Sequence, residues 1–194
     1  GTQMVAKGHD FPNVTLVGIL SADAMLFTSD YRASERTFQL ITQATGRAGR
    51  GHKPGRAVIQ AYNIDDYAIQ TALTQDYEEF YQKEISMRMK ITAPPFCHIG
   101  LIEVSGEDEK YARRTLEELK GKIIGIYCQT TGFECSDVMP APIFIVRNRA
   151  KWRIIIKLAS INTLVHLINE VLNIFPKLKA TGTYLNVDID PASM

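Results

Sequence analysis

The chain has 194 residues, a length that fits one or two domains with buried cores. Its 45% hydrophobic and 22% charged residues are ordinary globular values, which excludes a disordered or collagen-like chain. The net charge is only +1, so binding to nucleic acid or to a membrane would require a local charged patch. Three cysteines without a C-x-x-C pair predict reduced thiols in a cytosolic protein.

The first half of the chain alternates strands and helices, which is α/β patterning. The apolar run at residues 14–20 predicts a strand buried on both faces of a parallel sheet, and an unpaired edge there would favour self-association. Ser34 is the expected N-cap of a helix over residues 35–45, ending at glycines. A second strand is predicted at residues 57–62, and one long helical stretch at 65–90.

The pattern changes after Pro94 and Pro95, where we place the domain boundary, with domains 1–92 and 93–194. Beyond it the predicted order is β-α-β-β-α-β, which matches a ferredoxin-like α+β domain. The helices are expected at residues 108–126, with Ile126 on the apolar face, and from residue 161 to a stop at Pro176. The predicted strands are 99–104, 143–146, 152–158 and 184–189.

The sharpest motif is residues 43–50, Q-A-T-G-R-A-G-R. Arg47 and Arg50 lie three apart beside glycines at a predicted helix end, where small residues permit close approach. A guanidinium is planar and permanently charged, and in phosphoryl transfer such a group stabilises charge developing on the γ-phosphate. The alternative is a solvated glycine-rich turn with two surface arginines.

This octet resembles motif VI of superfamily 2 helicases, and residues 1–12 (GTQMVAKGHDFP) resemble motif V. Residues 30–36, D-Y-R-A-S-E-R, closely resemble the segment that joins these motifs in the PriA family of bacterial replication-restart helicases. The resemblance is dense over residues 1–51 and sparse beyond. It implies an α/β fold in which part of a RecA-like helicase lobe 2 precedes a ferredoxin-like C-terminal domain that binds DNA or partner proteins.

The resemblance also implies roles for individual residues. Arg47 and Arg50 would be arginine fingers, and Gln43 would line the ATP cleft. The positions implied in motif V are Gly8 and Asp10 on the nucleotide side, and Thr2 and Gln3 on the DNA backbone. For His9, a contact role and no functional role are equally plausible.

The activity implied is that of a cytoplasmic, ATP- and Mg²⁺-dependent 3′–5′ DNA helicase of the primosome. Its expected partners are branched or single-stranded DNA, single-stranded-DNA-binding protein and other primosome proteins. No phosphate-cradling G-x-x-x-x-G-K-[ST] run and no D-E-x-H motif occurs, so we expect the chain to be inactive alone. We interpret it as a piece of a longer polypeptide whose zinc-binding cysteines lie upstream. The alternatives are another superfamily 2 translocase, such as RecG, and a stand-alone nucleic-acid-binding module.

A second candidate site rests on spacing rather than resemblance. A predicted strand would place basic side chains on one outer face and apolar ones, including Trp152, on the other. Such a stripe would track a phosphate backbone, and Trp152, if exposed, would stack a base. A solvated sheet face or a protected edge strand is the alternative. The basic residues are Arg147, Arg149, Lys151, Arg153 and Lys157.

Overall fold

The computed structural model describes residues 14–28, 30–49, 54–178 and 182–193. The chain divides into two compact units, residues 1–91 and 92–194. Among the described helices, none is long and apolar enough to cross a membrane.

The first unit contains a parallel pair of strands, β1 (Leu16–Ile19) and β2 (Arg56–Ile59). A short 3-10 helix (Ala24–Phe27) and α1 (Ala33–Thr45) form the crossover between them, as the α/β pattern predicts. The expectation that the first strand is buried on both faces is wrong for the described chain, because Leu16 is 61% and Leu20 is 78% exposed. Only one face of the pair packs on the helices, through Ile19 and Ile59.

The helices of this unit end at residues 45 and 90, as predicted, but they begin at different residues and the second is interrupted. Arg32, not Ser34, precedes α1, and no side chain caps it. The long helical stretch is two helices, α2 (Tyr67–Thr74) and α3 (Tyr77–Lys90). Gln75 has a positive φ of 56°, which ends α2. Asp76 then caps α3 by accepting a 2.9 Å hydrogen bond from the Glu79 N–H, so a local side chain restarts the helix.

The second unit is an antiparallel sheet with two helices. In chain order its elements are β3 (His98–Gly106), α4 (Glu109–Tyr127), β4 (Glu134–Cys135), β5 (Met139–Val146), β6 (Arg149–Leu158), α5 (Ile161–Leu178) and β7 (Thr183–Ile189). The sheet runs β7–β3–β6, and both β4 and β5 pair with the free side of β6. The ferredoxin-like prediction is confirmed.

Both helices bury one face against the same side of this sheet. The stripe on α4 ends at Tyr127, which is 5% exposed, and the prediction of Ile126 is wrong because that residue is 55% exposed. Four residues after Ile123, the side-chain direction has rotated about 40° past a full turn of the helix. Three residues after Ile123, it is still about 60° short of a full turn. Tyr127 therefore lies closer to the buried line. Helix α5 also continues past Pro176 to Leu178.

Candidate functional site

The arginine motif forms the carboxyl end of α1 and the turn that follows. Gln43 is exposed in the last helical turn, and Arg47 is half-buried just beyond it. The N–H groups of Arg47 and Ala48 continue the turn to the carbonyls of residues 44 and 45. The N–H of Gly49 then donates to the Val14 carbonyl at 2.9 Å. This bond anchors the motif to the amino end of β1.

A second glycine makes this anchoring possible. A Cβ atom on Gly55 would lie 2.2 Å from the backbone nitrogen of Gly49 and 2.3 Å from the carbonyl carbon of Ala48. Backbone cannot yield to such a contact, so only glycine fits at residue 55. The turn before β2 thus packs directly on the backbone beside Arg47.

Several implied site residues lie outside the described residues: Arg50, Gly8, Asp10, Thr2, Gln3 and His9. Their roles stay predictions. Within the part of the chain that the structure describes, no group of three His, Cys, Asp or Glu residues is placed to hold a metal ion.

The segment at residues 30–36 begins with a buried carboxylate. Asp30 is 6% exposed, and its carboxylate accepts from the backbone N–H of Arg32 at 3.0 Å. The guanidinium groups of Arg32 and Arg36 lie 3.3 and 2.9 Å away. Burial opposes the charged form, but these donors and charges outweigh it and lower the pKa of the Asp30 carboxyl.

The same segment joins α1 to α3 through Arg88. Arg88 forms ion pairs with Glu35 at 2.7 Å and with the buried Glu84 at 2.6 Å. The Tyr67 hydroxyl donates to the second oxygen of Glu84 at 2.5 Å. Burial, and then this hydrogen bond, raise the pKa of Tyr67. The guanidinium of Arg88 also lies 5.2 Å from the ring centroid of Tyr31. We call this set, Tyr31, Glu35, Tyr67, Glu84 and Arg88, the Arg88 cluster.

We expect acid to destabilise the first unit through Asp30. A free aspartate titrates near pH 3.9, and the folded carboxyl titrates lower. Asp30 therefore contributes stability above about pH 4 and loses it as the pH falls through its folded value. Asp30→Asn should be less stable than the wild type at neutral pH and should approach it in acid. Urea midpoints from about pH 6 to about pH 3 measure this; parallel curves for the two proteins would contradict the assignment.

The basic residues of β6 lie on the face predicted for them. Trp152, Ile154, Ile156 and Leu158 are buried against the helices, so the odd-numbered residues point to the opposite face, here called the outer face. Arg149, Lys151 and Lys157 are partly exposed there. Lys157 forms an ion pair with Glu134 at 3.3 Å, which partly neutralises its charge.

Two residues of the predicted stripe are placed differently. Arg147 is not in the strand: with Asn148 it forms the two-residue turn between β5 and β6, and both have positive φ. Such a turn matches the twist of the paired strands. Arg153 lies on the outer face but is only 3% exposed, so the prediction of an exposed side chain is wrong. Burial lowers the pKa of its guanidinium, and the charge of Glu103 opposes this effect.

The aromatic residue available on the outer face is Tyr184, not Trp152. Trp152 is 8% exposed and packs edge-on against Phe144 with ring centroids 5.3 Å apart. Tyr184, on β7, is 49% exposed, and the guanidinium carbon of Arg149 lies 3.9 Å from its ring centroid. Tyr184 was not among the predicted site residues. The alternation of polar and apolar residues along 183–189 predicts that Tyr184 faces outward. It does not show which side chain on a neighbouring strand the Tyr184 ring contacts.

Comparison with known families identifies the chain. Residues 89–192 match the model of the primosomal protein N C-terminal domain. The chain belongs to this family.

Relatives named replication restart protein PriA match over the whole chain. The one from Bacillus subtilis (strain 168) is 39% identical over 100% of this chain and 24% of its own length. The one from Synechocystis sp. is 34% identical over 100% of this chain and 23% of its own length. The primosomal family predicted from residues 30–36 is therefore confirmed, and the RecG alternative is not favoured. This chain spans about a quarter of the length of these relatives.

Among solved structures, the de novo designed protein Foldit4 covers 48% of this chain at 14% identity. It matches 94% of its own chain, with a TM-score of 0.37. That value is too low to establish a common fold.

Proposed function

We propose that this primosomal chain is part of an ATP-dependent 3′–5′ DNA helicase that restarts stalled replication forks. The observation that carries the proposal is membership of the primosomal protein N family, in a chain that also has the motif VI octet. The protein would act in the bacterial cytoplasm on branched or single-stranded DNA. Single-stranded-DNA-binding protein and other primosome proteins would be its partners.

Within this function Arg47 and Arg50 would contact the γ-phosphate of ATP, and Gln43 would line the same cleft. Arg47 is half-buried on a turn whose backbone is anchored to β1. This supports the role, because a backbone that is already in place needs less reorganisation as charge develops. Mg²⁺ and the phosphate cradle would come from a first lobe, since this chain has no Walker motif. Zinc would belong to cysteines elsewhere in the full-length protein.

We expect no DNA-stimulated ATPase activity from the 194-residue chain alone. Arginine fingers stabilise a transition state that other groups must first bind and position. The measurement is phosphate release with and without single-stranded DNA. Turnover above a protein-free blank, abolished by Arg47→Ala, would contradict the assignment.

DNA binding by the second unit tests the proposal independently of ATP. The chain should bind a forked duplex with an affinity that falls as salt rises, because lysine and arginine displace counterions from phosphates. Lys151→Ala should flatten this dependence by about one unit in log–log slope. Lys83→Ala is the matched control, since Lys83 is exposed on α3 and paired with Glu79 at 2.6 Å. Equal slopes for the wild type and Lys151→Ala would remove Lys151 from the DNA contact.

The stand-alone binding module is not favoured, because the relatives named PriA match the whole of this chain and are about four times as long. The gene's upstream reading frame distinguishes the two. A Walker motif in frame supports the helicase, and its absence supports the module.

A further inference from the structure

The outer face of the second unit is more basic at one end than at the other. The end next to the β5–β6 turn carries Arg149 and Lys151, with Arg147 exposed in the turn itself. The opposite end carries Asp188 on β7 and the Glu134–Lys157 pair. A phosphate backbone that crosses this sheet is therefore attracted to one end of it.

The basic end also carries a stacked pair. Arg149 lies over the ring of Tyr184, and about half of Tyr184 is open to solvent. Ser105 on β3 is directly opposite Tyr184 on one side and Lys151 on the other. The three residues thus form one row across the sheet, and two strand spacings of about 4.8 Å place Lys151 about 10 Å from Tyr184.

This arrangement combines the two elements of single-strand recognition. Aromatic rings and guanidinium planes both stack on unpaired bases, and neighbouring cations hold the phosphates. The stacked pair also holds the ring in place before any ligand arrives, which reduces the ordering cost of binding. Because the side chain of Ser105 is small, it does not obstruct the surface between the Tyr184 ring and Lys151.

We propose that the Tyr184–Arg149 pair is a stacking site for an unpaired nucleotide base, with Lys151 and Arg147 holding the adjacent phosphates. The proposal rests on the proposed DNA-binding function and specifies its ligand as single-stranded DNA. A duplex does not fit this site, because its bases are stacked on each other and their faces are covered.

The test uses the 194-residue chain and three fluorescein-labelled probes: oligo-dT, an abasic oligomer of equal length, and a duplex. Tyr184→Ala should weaken binding of oligo-dT by between about 5-fold and about 100-fold. It should leave the abasic oligomer, the duplex and the salt slope unchanged, because stacking releases no counterions. Tyr184→Phe should retain wild-type affinity. Lys151→Ala should instead lower the single-strand salt slope by about 0.7.

Tyr111→Ala is the control, since Tyr111 is a 56% exposed tyrosine on α4 and should be neutral on every probe. Wild-type affinity of Tyr184→Ala for oligo-dT, or an equal loss on the abasic oligomer, would overturn the stacking site while leaving DNA binding intact. If the wild type bound none of the three probes, both this inference and the proposed DNA-binding function would fail.

Discussion

Arg47→Ala in the full-length protein is expected to lower ATP turnover about a thousandfold, equivalent to about 4 kcal/mol of transition-state stabilisation. The charge that this side chain would stabilise appears on the γ-phosphate mainly in the transition state, so DNA affinity should change little. Arg47→Lys should restore little activity, because an ammonium cannot reproduce the planar fork of the guanidinium. The measurements are saturated ATPase turnover and DNA affinity for the same preparations.

Arg56→Ala is a suitable control, because Arg56 is an exposed arginine at the start of β2 in the same unit. It should keep full turnover. A loss of DNA affinity with unchanged saturated turnover in Arg47→Ala would mean that the arginine motif contacts DNA and not ATP.

Arg88→Ala is expected to cost the first unit about 2–3 kcal/mol of unfolding free energy, since it leaves the buried Glu84 without its cationic partner. The change also removes the link from α3 to Glu35 on α1. Chemical denaturation followed by circular dichroism measures the loss. Trp152, the single tryptophan, lies in the second unit, so its fluorescence transition should stay unchanged.

Lys83→Ala provides a comparison on the same helix. Its exposed pair with Glu79 should contribute less than about 1 kcal/mol. Combining Arg88→Ala with Glu84→Gln should recover part of the stability, because the uncompensated charge is then gone. Should Arg88→Ala be no more damaging than Lys83→Ala, the Arg88 cluster would not be what joins these helices.

The Arg88 cluster gives a structural explanation for the segment at residues 30–36. Asp30 and Glu35, two charged residues in that segment, are engaged in ion pairs around the amino end of α1. Arg47 lies just beyond the carboxyl end of α1. The segment that suggested the family therefore supports the helix on which the arginine motif depends, at the end away from that motif.

Local patterns alone were sufficient for much of the fold. Alternation along residues 152–158 predicted which β6 side chains face the helices, because successive residues in a strand point to opposite sides. The order of strands and helices beyond residue 93 predicted the ferredoxin-like sheet. The segment at residues 30–36 indicated the primosomal family, since it depends on specific residues at fixed spacing, whereas the octet at residues 43–50 predicted only a superfamily 2 helicase.

The tertiary structure decided what those patterns cannot encode. Arg153 and Lys151 have the same place in the alternation, yet one is buried and the other partly exposed, because burial depends on neighbours from distant strands. Tyr184 meets Arg149 only because β7 and β6 both pair with β3, although 35 positions of sequence number separate them. Similarly, Gly55 must be glycine because the chain returns to Gly49, a contact that depends on how β2 pairs with β1. Periodicity assigns a side chain to a face, whereas its partners on that face are set by strand order and register.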